Sequence, residues 1–130
     1  HEIRKIHQFV TFASNTPIQH AYAEFLGRRT AENGLAQFFQ DKRDYFLSLI
    51  KKSKFKPIIS HGTYFQLLDY SLITDESDKD FSLKLLKTHG VAAIPTSAFL
   101  FQSKAPPVLR FCFAKKTKTL QAAAKSLCAI

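Results

Sequence analysis

Arg110 stands in the middle of Val108-Leu109-Arg110-Phe111-Cys112-Phe113-Ala114, a run of strong β-formers. Side chains alternate along a strand, so Leu109, Phe111 and Phe113 share one face while Val108, Arg110, Cys112 and Ala114 share the other. The phenylalanine face must be the one that helices cover, which sets Arg110 on the opposite face among small or apolar neighbours. A guanidinium is poorly placed there unless it meets an anion. Its planar fork of five donors matches a carboxylate through two parallel hydrogen bonds, a geometry that lysine lacks. The residues alone leave three readings open: binding of a carboxylate or phosphate, pairing with an internal acid such as Asp69, or simple solvation.

The other reactive side chains are sparse. The two cysteines, Cys112 and Cys128, are too few for a disulfide scaffold and lack zinc-ligand spacing, so both are expected to be buried thiols. The 19 basic residues exceed the 10 acidic ones by nine, which raises nucleic-acid binding as a function. The distribution argues against it: residues 1–56 hold ten basic and five acidic side chains, and residues 57–130 hold nine and five. The Lys51-Lys52, Lys54, Lys56 cluster and the Lys115-Lys116, Lys118 cluster fall at helix ends, where the first of them meets the negative end of a helix dipole. A solvated surface is expected, with no nucleic-acid partner.

The elements that must position Arg110 follow from 130 residues with 13 Phe and 4 Tyr, enough apolar content for one folded domain and too much for disorder. Ile3, Ile6, His7 and Val10 recur at helical spacing and predict a helix to about Phe12. Ser14-Asn15-Thr16-Pro17 offers a cap and a first-turn proline for a second helix, Pro17 to Leu26, stopped by Gly27. After a connector from Arg28 to Gly34, Leu35, Phe38, Phe39, Phe46, Leu49 and Ile50 mark one face of a long helix ending near Ser53.

From Pro57 the pattern becomes strand-like, with Ile58-Ile59 and Tyr64 to Tyr70 either side of a His61-Gly62 turn. Pro57 is therefore the expected internal boundary, between a helical segment 1–56 and a small domain 57–130. Ser77 and Asp80 resemble a capping box for a helix with Phe81, Leu85 and Leu86 on its face and His89-Gly90 at its end. Val91 to Ile94 reads as a short buried strand stopped by Pro95, and Lys104 to Pro107 as a loop. A last helix from about Thr117 carries Leu120, Ala123, Ala124 and Leu127 on one stripe. Helices first, then strands mixed with helices, indicate an α+β fold or the tail of a larger α/β protein.

No apolar run approaches the roughly 20 residues of a membrane span, and no charged-then-apolar start resembles a signal peptide. The expectation is a cytoplasmic protein with no membrane partner. The sequence contains no Met and opens on His1-Glu2-Ile3 in the style of a helix interior, so it is expected to be a piece of something longer.

Three runs carry a family resemblance: residues 89–99 (HGVAAIPTSAF), residues 109–116 (LRFCFAKK) and residues 119–124 (TLQAAA). With His7-Gln8-Phe9, Thr16-Pro17-Ile18-Gln19, Ala21, Gly62-Thr63-Tyr64-Phe65 and Asp69-Tyr70-Ser71, they resemble the C-terminal small domain of class I pyridoxal-phosphate aminotransferases. The likeness is strongest to the methionine, kynurenine and glutamine transaminase branch, and it runs in the family's order over nearly the whole chain.

The resemblance implies a fold-type-I small domain, with a small mixed or antiparallel sheet packed with helices and preceded by long linking helices. It implies a homodimeric enzyme that moves an amino group between an amino acid and a 2-oxo acid using pyridoxal 5′-phosphate. Arg110 matches the arginine that grips the substrate α-carboxylate and so orients the Cα–H bond to the cofactor. Phe12 falls where the partner subunit lends an aromatic wall, and neighbouring Ala13 departs from the larger residues of some relatives. Tyr64 and Phe99 border the same pocket on this reading, with a core role as the alternative for both. A β-lyase of the same fold is the second reaction it allows. The family's Schiff-base lysine, pyridinium partner and phosphate ligands match nothing here and are expected upstream of His1, so the chain alone is expected to be inactive.

Overall fold

The computed structural model describes residues 1–28, 34–101 and 105–130, so most of the expected Arg28–Gly34 connector, and Lys104 of the expected loop, lie outside the described residues. The chain divides into two compact units, His1–Leu35 and Ala36–Ile130.

In the first unit, α1 spans Glu2–Val10 and α2 spans Thr16–Gly27. Asn15, of the candidate caps, closes the start of α2: its side-chain oxygen accepts the Ile18 N–H at 3.4 Å, and Pro17 occupies the first turn, where its missing N–H costs nothing. Between the helices Phe12 takes φ 40°, a left-handed backbone that non-glycine residues rarely adopt. No described residue of α1 or α2 is buried.

The second unit is α+β. Its elements are α3 (Leu35–Ile50, whose first residue is the last of the preceding unit), β1 (Lys56–Pro57), β2 (Phe65–Asp69), α4 (Asp78–His89), β3 (Ile94–Pro95), a 3₁₀ turn (Thr96–Phe99), β4 (Val108–Cys112) and α5 (Thr117–Cys128). The four strands form one sheet in the order β1-β2-β4-β3, antiparallel throughout. Both edge strands carry a proline, Pro57 and Pro95, where a missing N–H breaks no ladder and blunts the edge against further pairing. That accounts for one departure from expectation. Val91 to Ile94 is not a buried strand; only Ile94 and Pro95 pair with β4, and Ile94 remains exposed at the edge.

One face of the sheet is the core face. Leu68, Leu109 and Phe111 from it, with Phe113 just beyond β4, pack with Phe46 and Ile50 of α3, Phe81 and Leu85 of α4, and Leu120, Ala124 and Leu127 of α5. Phe55 joins the layers, 5.7 Å from Phe111 edge-on and 6.2 Å from Phe81 stacked. The helix stripes are narrower than the apolar spacing predicts. Leu35 and Phe38 at the start of α3 and Leu86 on α4 are exposed, because only the turns facing the sheet reach the core.

The helix signals of α4 are realised. Ser77 Oγ accepts the Asp80 N–H at 3.2 Å, and Gly90 ends the helix at φ 66°. Gln66 is the one buried polar side chain of β2; its amide nitrogen donates to the carbonyls of Ile58 and Leu67.

Candidate functional site around Arg110

The register of β4 places Arg110 directly opposite Leu67 of β2 on one side and Ile94 of β3 on the other. Residues paired across a ladder share a face, so Arg110 projects from the side carrying Phe65, Leu67, Asp69 and Cys112, opposite the helices. Leu109 and Phe111, its chain neighbours, point the other way into the core. The alternation read from the sequence therefore holds.

Two aromatic rings meet the guanidinium. Its central carbon lies 4.4 Å from the ring centroid of Phe65 and 5.2 Å from that of Phe99. Tyr64 lies one ring further out, perpendicular to Phe65 with centroids 5.6 Å apart, and is half exposed. Phe99, expected near the pocket, is thus in contact with Arg110; Tyr64 reaches it through Phe65. Phe65 is not among the expected site residues, because Tyr64 to Tyr70 reads there as one strand-like run rather than as two faces. The period-2 alternation that exposed Arg110 would have found it.

Phe12 belongs to the first unit and is 92% exposed.

Among the described residues no carboxylate lies within ion-pair distance of Arg110. Asp69, the internal acid named as an alternative partner, is committed elsewhere. Its Oδ1 accepts the Ser71 N–H at 2.7 Å, and that bond, helped by Lys56 across the β1–β2 ladder, holds its carboxyl below the ordinary aspartate value. Asp69 is therefore anionic but not the counter-ion of Arg110.

A hollow of about 80 Å³ lined by Ile58, Ile59, Ser60, Phe65 and Leu67 adjoins this face. A larger one, about 640 Å³, is lined by Tyr70, Glu76, Asp78 and Ser97 among others and includes none of the expected site residues.

Cys112 is not buried. It shares Arg110's parity and is exposed on the uncovered face, while Cys128, also exposed, lies in the last turn of α5 with Sγ 3.5 Å from the Leu49 carbonyl oxygen. Cysteine's apolar preference is overridden in both places by the face its position occupies.

Every described lysine is exposed except Lys42, which is half-buried and donates to the Lys115 carbonyl at 2.8 Å. Among the described residues, Arg110 thus presents a guanidinium with two aromatic neighbours and no acid partner within ion-pair distance. Nor do any three His, Cys, Asp or Glu side chains among them gather as metal ligands, and no described helix is long and apolar enough to cross a membrane.

Residues 1–127 match the family Aminotransferase class I and II. The methionine aminotransferase of Escherichia coli is 44% identical over 128 residues, 97% of this chain and 33% of that protein. Mouse kynurenine–oxoglutarate transaminase 1 is 30% identical, over 97% of this chain and 35% of its own length. Among solved structures, YbdL from Escherichia coli, whose structure and reactivity identified a methionine aminotransferase function, superposes with a TM-score of 0.82 at 42% identity, over 99% of this chain and 34% of that one. N-succinyldiaminopimelate aminotransferase from Mycobacterium tuberculosis gives 0.79 at 29% identity, over 94% and 32%. The chain spans about a third of the length of these relatives. A match over 127 residues, joined to a sheet that superposes on fold-type-I aminotransferases, makes this chain a member of the class I and II aminotransferase family.

Proposed function

We propose that this chain is the substrate-carboxylate-binding part of a pyridoxal-phosphate-dependent aminotransferase, in which Arg110 grips the α-carboxylate of the amino acid and of the 2-oxo acid. The observation that carries the reading is the state of Arg110 itself: a half-buried guanidinium on the uncovered sheet face, with no acid partner among the described residues.

Two parallel N–H···O bonds from the fork neutralise the carboxylate and fix its plane, and through it the direction of the bonds at Cα. Arg110 can hold that direction because its own strand is paired on both sides, by β2 and β3, and anchored beneath by Leu109 and Phe111. The gain is one of orientation, converting a free encounter into a fixed approach. Pyridoxal 5′-phosphate, when bound, supplies the electron-withdrawing chemistry of the transfer. This chain's residues contribute the carboxylate grip and its apolar surround.

The homodimer that the family resemblance implies belongs to the same proposal. It is supported by the unburied apolar side chains of α1 and α2, including Ile3, Ile6, Phe9, Tyr22 and Phe25, and of Phe12 between them.

Methionine is the first amino donor to assay, since a relative at 44% identity is a methionine aminotransferase. In the full-length protein, Arg110→Ala is expected to raise KM for both amino acid and 2-oxo acid by about a hundredfold, the loss of a bidentate charged pair, with the cofactor's absorbance unchanged. Unchanged KM values for both substrates overturn the assignment. Pyruvate and ammonia released from a cysteine conjugate without added oxo acid would replace transamination by β-elimination as the reaction.

A further inference from the structure

The rings on Arg110 arrive from opposite flanks of its strand. Phe65 sits on β2, the neighbour of β4 on one side, and Phe99 ends the 3₁₀ turn that follows β3, the neighbour on the other. A guanidinium is drawn to the electron-rich face of an aromatic ring, while all five of its N–H donors lie in its own plane. Rings on its flanks therefore restrain tilt without consuming a donor. The two walls are themselves braced: Tyr64 packs edge-on against Phe65, and the turn bearing Phe99 is tied to α4 by a 2.7 Å bond from the Ser97 N–H to Asp78 Oδ2.

We propose that Phe65 and Phe99 wall a slot that holds the fork of Arg110 edge-out, admitting a planar carboxylate and discriminating against tetrahedral anions. A carboxylate bound through two parallel bonds lies coplanar with the guanidinium and fits between the walls. A phosphonate or sulfonate carries at least one oxygen out of that plane. That oxygen is driven toward a ring whose face is negative and offers no hydrogen bond. The ligand class of the site is accordingly a flat monoanion. Phe65 and Phe99 are positioning residues, acting through Arg110. The inference rests on the reading of Arg110 as the carboxylate grip.

The test uses the full-length protein with methionine as substrate and its α-aminophosphonate analogue as competitive inhibitor. Phe65→Leu and Phe99→Leu keep apolar bulk and remove the ring. Each is expected to raise KM for methionine about tenfold while kcat moves less than about threefold, the scale of a partly desolvated cation–π contact. Each is also expected to narrow the wild-type preference for carboxylate over phosphonate by about tenfold, and the tyrosine variants at both positions are expected to restore both values. Phe99 is largely exposed, so its variants report on the slot even where replacing Phe65 unfolds the protein. Arg110→Lys separates the two ideas. Should KM be indifferent to Arg110→Lys, the carboxylate grip falls and the slot with it. Should Arg110→Lys raise KM while both leucine variants keep wild-type KM and wild-type anion preference, the slot alone is overturned.

Discussion

The carboxylate of Asp78 accepts the backbone N–H of Ser97 at 2.7 Å, joining the first residue of α4 to the 3₁₀ turn that presents Phe99. Asp78 is 6% exposed, so this is a nearly buried charge satisfied by a backbone donor and favoured by the N-terminal end of the α4 dipole. Removing it strands that donor. Asp78→Ala is expected to cost about 2 kcal/mol, the usual range for a buried hydrogen bond to a charged group, and Asp78→Asn clearly less because an amide oxygen still accepts. Urea unfolding of the three proteins side by side measures this, and equal midpoints would refute it.

Tyr70 sets an alkaline limit. Burial is the main cause that raises its phenol above the ordinary tyrosine value, with Asp78, Glu76 and Asp69 adding to it, and its hydroxyl donates to the Glu76 carbonyl at 3.0 Å. The folded value is the higher one, so the unfolded chain ionises first as pH rises. Stability is then fully present below about pH 10, the unfolded tyrosine value, and declines above it until the folded value is passed. Tyr70→Phe is expected to lose about 1 kcal/mol at neutral pH, from the hydrogen bond, and to show a shallower decline from pH 9 to 11. Parallel curves for the two proteins over that range would contradict the argument.

Gly90 closes α4 with φ 66°, where its N–H reaches the Leu86 carbonyl at 3.2 Å. A Cβ at this position would touch nothing, so any cost of Gly90→Ala comes from backbone strain alone. About 1 kcal/mol is expected. Thermal melts would show a lowered midpoint with unchanged far-ultraviolet dichroism.

The first unit leaves Ile3, Ile6, Phe9 and Val10 exposed on α1. Apolar side chains at that density mark an association surface. The 130-residue chain is expected to scatter light as a species larger than a monomer at micromolar concentration, and Ile6→Lys with Phe9→Ser to shift it toward the monomer. Monomeric scattering by the unsubstituted chain would dispose of the idea.

Local chemistry made much of this protein legible in its residues. Ser77, Asp80 and Gly90 bracket α4 because caps act within one turn of the helix they close. The parity of Arg110 against Leu109 and Phe111 follows from the pleat alone, and so does the parity of Cys112. Cysteine's general preference for the interior points the wrong way for Cys112, because its place in the pleat puts it on the exposed face. The short edge strands were harder. Ile58, Ile59 and Val91 have strand-forming side chains, yet pairing settles on Lys56–Pro57 and Ile94–Pro95, because an edge strand is defined by the neighbour it meets.

What the amino-acid order determined by itself was the five helices, the two central strands and the face on which Arg110 would stand, since helix caps and strand alternation are properties of neighbouring residues. What only the tertiary structure decided was the company Arg110 keeps. Phe65 and Phe99 reach it through the β2–β4 register and through a turn pinned by Asp78, and Asp69, equally near along the sheet, bonds Ser71 instead. Register and docking depend on segments far apart in the chain settling together over one core, and no local window contains both partners.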